Sequence, residues 1–299
     1  MHFDEPSWIS REPLNHIVFG ILVWFVETSS LLPTKVHNFA TSSVVLLRTA
    51  GTDDPTVNQY RLESRIFFAI LFTIVKQLDV AAAQQDYLVT LVTTLRAVPL
   101  PITVAQAMDP LSLDSNMNED LCKLKAVLSD LELDAPMHPR LEDRPFYSTH
   151  LPERPPWRLA PGRCMTAGEW ASINAFVARL HHTAPDVVHL DIRGLFAMIE
   201  AFELPRTSSQ LEDVLPAAAC WIIYAGQELK TNDVPYANAV DTDGSRRLPL
   251  SRGPLWTGPY AFNQARWQFW MQRLKQIVER ADVSDTVKLA AVTALETGL

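Results

Sequence analysis

The sequence predicts an all-α protein, and three observations predict it. Apolar residues recur at helical spacing along most of the chain. No stretch alternates with period two for long enough to argue for a sheet. The 299 residues are 47% hydrophobic yet include only 10 Gly, a composition that suits packed helices better than a turn-rich β sandwich. A chain of this length can bury a sizeable core, as one large domain or two small ones.

Taken in order, helices are expected at about 14–28, 35–49, 59–79 and 83–97, after which "AVPLPITV" interrupts. "HIVFGILVWFV" (16–26) and "IFFAILFTIV" (66–75) are strongly apolar. Both fall well short of the roughly 20 residues a bilayer span needs, so they read as buried helices and no membrane span is expected. "NEDLCKLKAVLSDLEL" (118–133) has an acidic start followed by Leu121, Leu124, Leu128 and Leu131 at helical spacing, and it reads as one more helix. The acidic end of that run, "DLELD" (130–134), reads as a solvated face.

Residues 135–163 then carry Pro136, Pro139, Pro145, Pro152, Pro155, Pro156 and Pro161. No regular element survives that density of proline, so this is a long strap or an exposed linker. It divides an N-terminal helical portion, 1–134, from a C-terminal one, 164–299. The N-terminal helices are too apolar to stand alone, which favours a single large bundle, one domain over 1–299, tied by the strap.

Helices resume beyond it. "TAGEWASINAFVARLHHT" (166–183) opens with Thr166 and has Glu169 three residues on, a capping box. "DIRGLFAMIEAFEL" (191–204) stops at Pro205. "SSQLEDVLPAAACWIIYAGQEL" (208–229) reads as a helix with a Ser cap and an acidic first turn, in which Asp213 complements the dipole. A polar loop over 230–260 leads to "RWQFWMQRLKQIVER" (266–280), and "SDTVKLAAVTALE" (284–296) closes the chain behind a further Ser cap.

A net charge of −8 argues against nucleic acid as a partner, since phosphate backbones need a basic surface. It leaves room for a small anionic substrate. Cys122, Cys164 and Cys220 are far apart and odd in number, with no CxxC and no secretory signal, which points to a reducing, cytoplasmic compartment. GxGxxG, P-loop, GxSxG and HExxH patterns are absent. His181 and His182 read as a helix end, where the dipole favours His. "TDDP" (52–55) reads as a helix start.

Three carboxylates stand out. Glu200 and Glu203 lie three apart on one helix among Met198, Ile199 and Phe202, near a C-terminal end where the dipole disfavours negative charge. Something should compensate them: a salt bridge, solvent or a metal ion. Glu228 follows an Ala-Gly pair able to loosen its helix, and is a similar case. Mg²⁺ is the metal that carboxylate oxygens would suit.

The 266–280 helix raises a second question. Trp267, Trp270, Met271, Leu274, Ile277 and Val278 form one apolar stripe, and Lys275 stands at its border, about 40° round from Met271. A snorkelling Lys whose stem covers a core edge explains it. So does a cation at the mouth of an apolar cavity, and the aromatics of the C-terminal half, Phe196 and Tyr224 among them, could line one.

"GEWASINAFVARL" (168–180), "GLFAMIEAFE" (194–203), "LPAAACWIIYAGQEL" (215–229) and "GPLWTGPYAFNQARWQFWMQRLKQI" (253–277) together resemble the fungal domain-of-unknown-function 3632 family. The resemblance covers roughly the last 140 residues. It implies fungal origin and an all-helical fold, and by itself gives no function. Where that family commonly has an acidic or neutral residue, this chain has Lys275 with Met271 four positions earlier. In this it resembles the atypical humulene synthases of fungal tropolone sesquiterpenoid pathways. That resemblance implies cyclisation of farnesyl diphosphate to a humulene-type hydrocarbon, with Mg²⁺ as cofactor. It implies that Lys275 holds the diphosphate, and that Met271 borders the prenyl chain and influences alkene geometry. The accompanying candidate substrate contacts are Trp267, Trp270, Phe196, Tyr224 and Arg266, and the candidate metal ligands are Glu200, Glu203 and Glu228. The reading admits a homodimer. Two alternatives stay open: a non-catalytic helical interaction protein, and a metal-free cyclase or isomerase of a neutral fungal metabolite.

Overall fold

A computed structural model gives the fold and describes residues 2–28, 56–97, 124, 126–131, 134–136, 156, 159, 163–185, 190–231, 253–258 and 262–298. The expected helix at 35–49, the TDDP start and most of the strap lie outside the described residues. Every regular element among the described residues is helical, as the sequence predicts. The chain forms two compact units, Met1–Met165 and Thr166–Leu299, divided at the C-terminal end of the strap.

In the first unit, α1 (Ser7–Ser10) leads into α2 (Pro13–Glu27), which packs against α3 (Thr56–Val75) and α4 (Ala83–Ala97). Pro13 sits in the first turn of α2, where its missing N–H costs nothing. The two apolar runs are helical, and no described helix is long and apolar enough to cross a membrane. Ile70, Leu71, Phe72, Ile74 and Val75 of α3 are fully buried, and each such side chain contributes about 1.5–3 kcal/mol by leaving water. Gln77 clips the N-terminal segment to the end of α3. Its Oε1 accepts the Asp4 N–H at 2.6 Å, and its Nε2 donates to the Asp4 carbonyl at 2.9 Å.

The acidic end of the 118–133 run is not a solvated face. Asp130 accepts from Arg65 Nη2 at 3.0 Å. Asp134 is buried, and its carboxylate accepts the Leu159 N–H at 2.9 Å while its carbonyl accepts that of Met165 at 2.7 Å. A residue of the strap and one just beyond it thus meet at one aspartate, whose burial is stabilised by these bonds. Local polarity in the sequence could not reveal partners 25 and 31 positions away.

The second unit holds α5 (Ala167–Thr183), α6 (Asp191–Met198) continuing as a π-helical turn (Ile199–Glu203), α7 (Ser208–Thr231), α8 (Gln264–Glu279) and α9 (Asp285–Gly298). The capping box forms as expected, Thr166 accepting the Glu169 N–H while Glu169 accepts that of Thr166. Helix α7 starts otherwise. Thr207, not Ser208, exchanges hydrogen bonds with Gln210, at 3.1 and 3.3 Å, and the first turn carries no acid. Asp213 therefore sits in the second turn, where burial and neighbouring Glu212 raise its pKa.

Helix α7 is the hub, packing on α5, α6 and α9. Trp221 fills the centre, fully buried, its Nε1 donating to Asn174 Oδ1 of α5 at 2.8 Å. Gly194 of α6 lies against the indole, so close that an added Cβ would stand 2.8 Å from Cε3. Gly226 does not loosen α7, which continues to Thr231. It gives room to Trp267, whose ring would stand 3.2 Å from an added Cβ.

Candidate functional site

Helix α8 presents two differently built sides. One begins with Glu203, the last residue of the π-helical turn, whose side chain is fully buried. Arg266 Nε donates to its Oε1 at 2.6 Å and Arg266 Nη2 to its Oε2 at 2.9 Å, a two-pronged pair in which both side chains are 0% exposed. Trp270 Nε1 adds a bond to Oε1 at 2.8 Å and the Gly253 N–H one to Oε2, also at 2.8 Å. Four donors thus saturate the carboxylate, which is what a buried charge requires. Gly253 has to be glycine, because a Cβ there would overlap the Glu203 backbone. The Leu255 N–H reaches the Glu203 carbonyl at 3.0 Å, and the 253–258 loop is fastened to the same point.

The compensation expected at this helix end is supplied by arginines. Arg206 donates to the Glu200 carbonyl at 3.0 Å and pairs with the Glu200 carboxylate. Arg273 Nε donates to the Phe202 carbonyl at 3.4 Å, and Arg280 Nη1 to that of Arg206 at 3.3 Å. These guanidinium groups serve carbonyls left without helical partners. Burial, with Arg280 nearby, lowers the Arg273 pKa.

The other side of α8 borders a surface groove. Its lining residues are Gln264, Trp267, Gln268, Met271, Gln272 and Lys275 of α8, with Lys230 at the end of α7 and Gly298 at the end of α9. It holds about 350 Å³, within the usual range for small-molecule sites. Trp267 and Met271, each almost wholly buried, provide the apolar part, and a Cβ added at Gly298 would stand 3.0 Å from Met271 Sδ. The three glutamines, four apart, make a neutral amide row along one wall. Lys275 is exposed and Lys230 half-buried. Among the described residues, no carboxylate lines the groove and none pairs with either lysine.

The sequence-predicted residues therefore separate. Lys275, Met271 and Trp267 meet in the groove. Arg266 and Trp270 do not line it; they are fully buried and held by Glu203. Phe196, half-buried on α6, and Tyr224, half-buried on α7 with the Arg179 guanidinium 3.6 Å above its ring, lie elsewhere. Glu228 pairs with His182 at 2.7 Å, which also gives the "HH" helix end a partner. As placed, the three glutamates do not gather around one metal ion: Glu200 and Glu203 pair with arginines, and Glu228 is hydrogen-bonded to His182. Among the described residues, no group of three or more His, Cys, Asp or Glu gathers at metal-binding range. Sequence reasoning missed Lys230 and the Gln264, Gln268, Gln272 row. The regular spacing of those glutamines is a legible signal, whereas nothing local links Lys230 to Lys275, 45 residues on.

These features belong to a helical protein with an amphiphilic groove edged by cations. The family described as "Protein of unknown function (DUF3632)" matches residues 68–274, more than half the chain, and the protein belongs to that family. The match takes in Trp267 and Met271 and ends one residue before Lys275. No curated protein and no solved structure matches.

Proposed function

We propose that the α7–α8–α9 groove binds a prenyl diphosphate and that the protein is a sesquiterpene cyclase, converting farnesyl diphosphate to a humulene-type hydrocarbon with release of diphosphate. The observation carrying this reading is the convergence of Lys275, Met271 and Trp267 on one groove with no described carboxylate in its lining, in a protein of net charge −8. An anion carrying a hydrocarbon chain is the ligand such a surface complements. In the reaction, the C1–O bond breaks and diphosphate leaves with the electron pair. C1 then bonds to the distal double bond to close an eleven-membered ring, and proton loss gives the neutral product. Lys275 meets the departing anion with a charge-assisted contact, while Trp267 offers a π face to the cation. No step is assigned to a metal, because the three glutamates are otherwise engaged.

The test is to incubate the purified full chain with farnesyl diphosphate, with and without Mg²⁺, and to examine the organic extract by gas chromatography–mass spectrometry. A C15 hydrocarbon that disappears in a folded Lys275→Ala variant is the expected result. Undiminished product from that variant would remove Lys275 from the reaction.

One observation favours a second reading. The groove is open to solvent and Lys275 is exposed, whereas allylic cations need water kept out. A non-catalytic protein that binds such an amphiphile has no need of closure. Binding of farnesyl diphosphate without turnover under any of these conditions would select it.

A further inference from the structure

A lysine in the last turn of a helix is ordinary, because the dipole favours it there. Lys230 departs from that pattern through its company. It comes from α7, whereas Lys275 comes from the fourth turn of α8, and both line the same groove. The same lining supplies an apolar surface and a row of neutral amides, and no described carboxylate neutralises either charge. Two uncompensated cations from separate helices resist being drawn together unless an anion lies between them, and an anion of higher charge gains more from the pair.

We infer that Lys230 and Lys275 together form a diphosphate clamp that sets headgroup specificity, so that the groove takes prenyl diphosphates in preference to monophosphates or carboxylates. This rests on the prenyl diphosphate reading above and adds the residue that discriminates by charge. Lys275 holds one phosphate. Lys230 engages the other, and the amides of the glutamine row donate to either without adding charge. A monophosphate satisfies one lysine and leaves the second with nothing to bind.

The test measures affinity by isothermal titration calorimetry in metal-free buffer, with farnesyl diphosphate and farnesyl monophosphate as probes. The full chain is used as wild type, Lys230→Gln and Lys275→Gln, with thermal melts to verify folding. Wild type should prefer the diphosphate by about tenfold or more, one charge-assisted contact being worth that much. Lys230→Gln should abolish the preference by weakening the diphosphate about tenfold while leaving the monophosphate nearly unchanged. Lys275→Gln should weaken both. A preference kept intact in Lys230→Gln, alongside lost binding in Lys275→Gln, overturns the clamp and leaves the groove assignment standing. Wild-type affinity in both variants, or no binding by wild type, overturns the groove assignment itself.

Discussion

Arg266 and Lys275 stand on one helix, nine residues apart, and illustrate two uses of a positive charge. Arg266 is wholly buried and spends its planar fork on Glu203, where Trp270 and Gly253 complete the carboxylate's hydrogen bonds. Lys275 is exposed at a groove with no described carboxylate beside it. A rigid, weakly hydrated guanidinium suits a permanent buried pair, and a flexible, strongly hydrated ammonium suits a partner that comes and goes. The buried cation is satisfied within the fold, and the exposed one is left to meet a partner from solution.

The contrast can be broken most severely at the buried pair. Glu203→Ala leaves the Arg266 charge buried without a partner and should cost about 3–5 kcal/mol, read from the denaturant midpoint of the full chain. A cost below about 1 kcal/mol would mean that Arg266 finds water, and that the site is less closed than described. Next in size, Asn174→Ala removes the acceptor of the buried Trp221 N–H and should cost about 1–3 kcal/mol. Trp221 fluorescence unmoved by that change would argue against the bond.

On the groove side, effects on stability should be small and effects on function large. Met271→Leu nearly conserves volume and should cost less than about 1.5 kcal/mol. Chromatography of the hydrocarbon products should show an altered isomer ratio, and an unchanged ratio would place Met271 away from the reacting chain. Lys275→Ala should stay within about 0.5 kcal/mol of wild type. A larger loss would turn Lys275 into a structural residue like Arg266.

The smallest effect concerns pH. The hydrogen bond from Arg280 holds the Asp282 carboxyl at about 2, below the ordinary 3.8. Because the folded value is depressed, the stabilisation is present above pH 4 and is lost as pH falls toward 2. Titration by carbon-13 NMR should find that low value in wild type and a return toward 3.8 in Arg280→Ala.

The two sides of α8 were not equally legible in the sequence. Helical spacing placed Trp267 and Met271 on one stripe and Lys275 at its edge, and all three line the groove. The same spacing offered Arg266 and Trp270 as ligand contacts, but they belong to the core. A charged residue at the start of an aromatic helix looks available until its partner is known, and Glu203 lies 63 residues away. The dipole argument did require that Glu200 and Glu203 be compensated, but it could not say by what. Arg266 from α8 and Arg206 from the α6–α7 connection answered that.

The sequence by itself determined the all-α class, the capping box at Thr166, the helical stretches that fall on described residues and the apolar stripe of α8. These depend on periodicity and on groups within four residues of one another, so local physics suffices. Only the tertiary structure decided which charges are spent and which remain. It buried Asp134 and Glu203 with distant donors, set Gly194 and Gly253 where Trp221 and Glu203 leave no room for a Cβ, and brought Lys230 and Lys275 to one groove. Whether a charge is satisfied depends on groups that folding brings near, and spacing along the chain does not encode that distance.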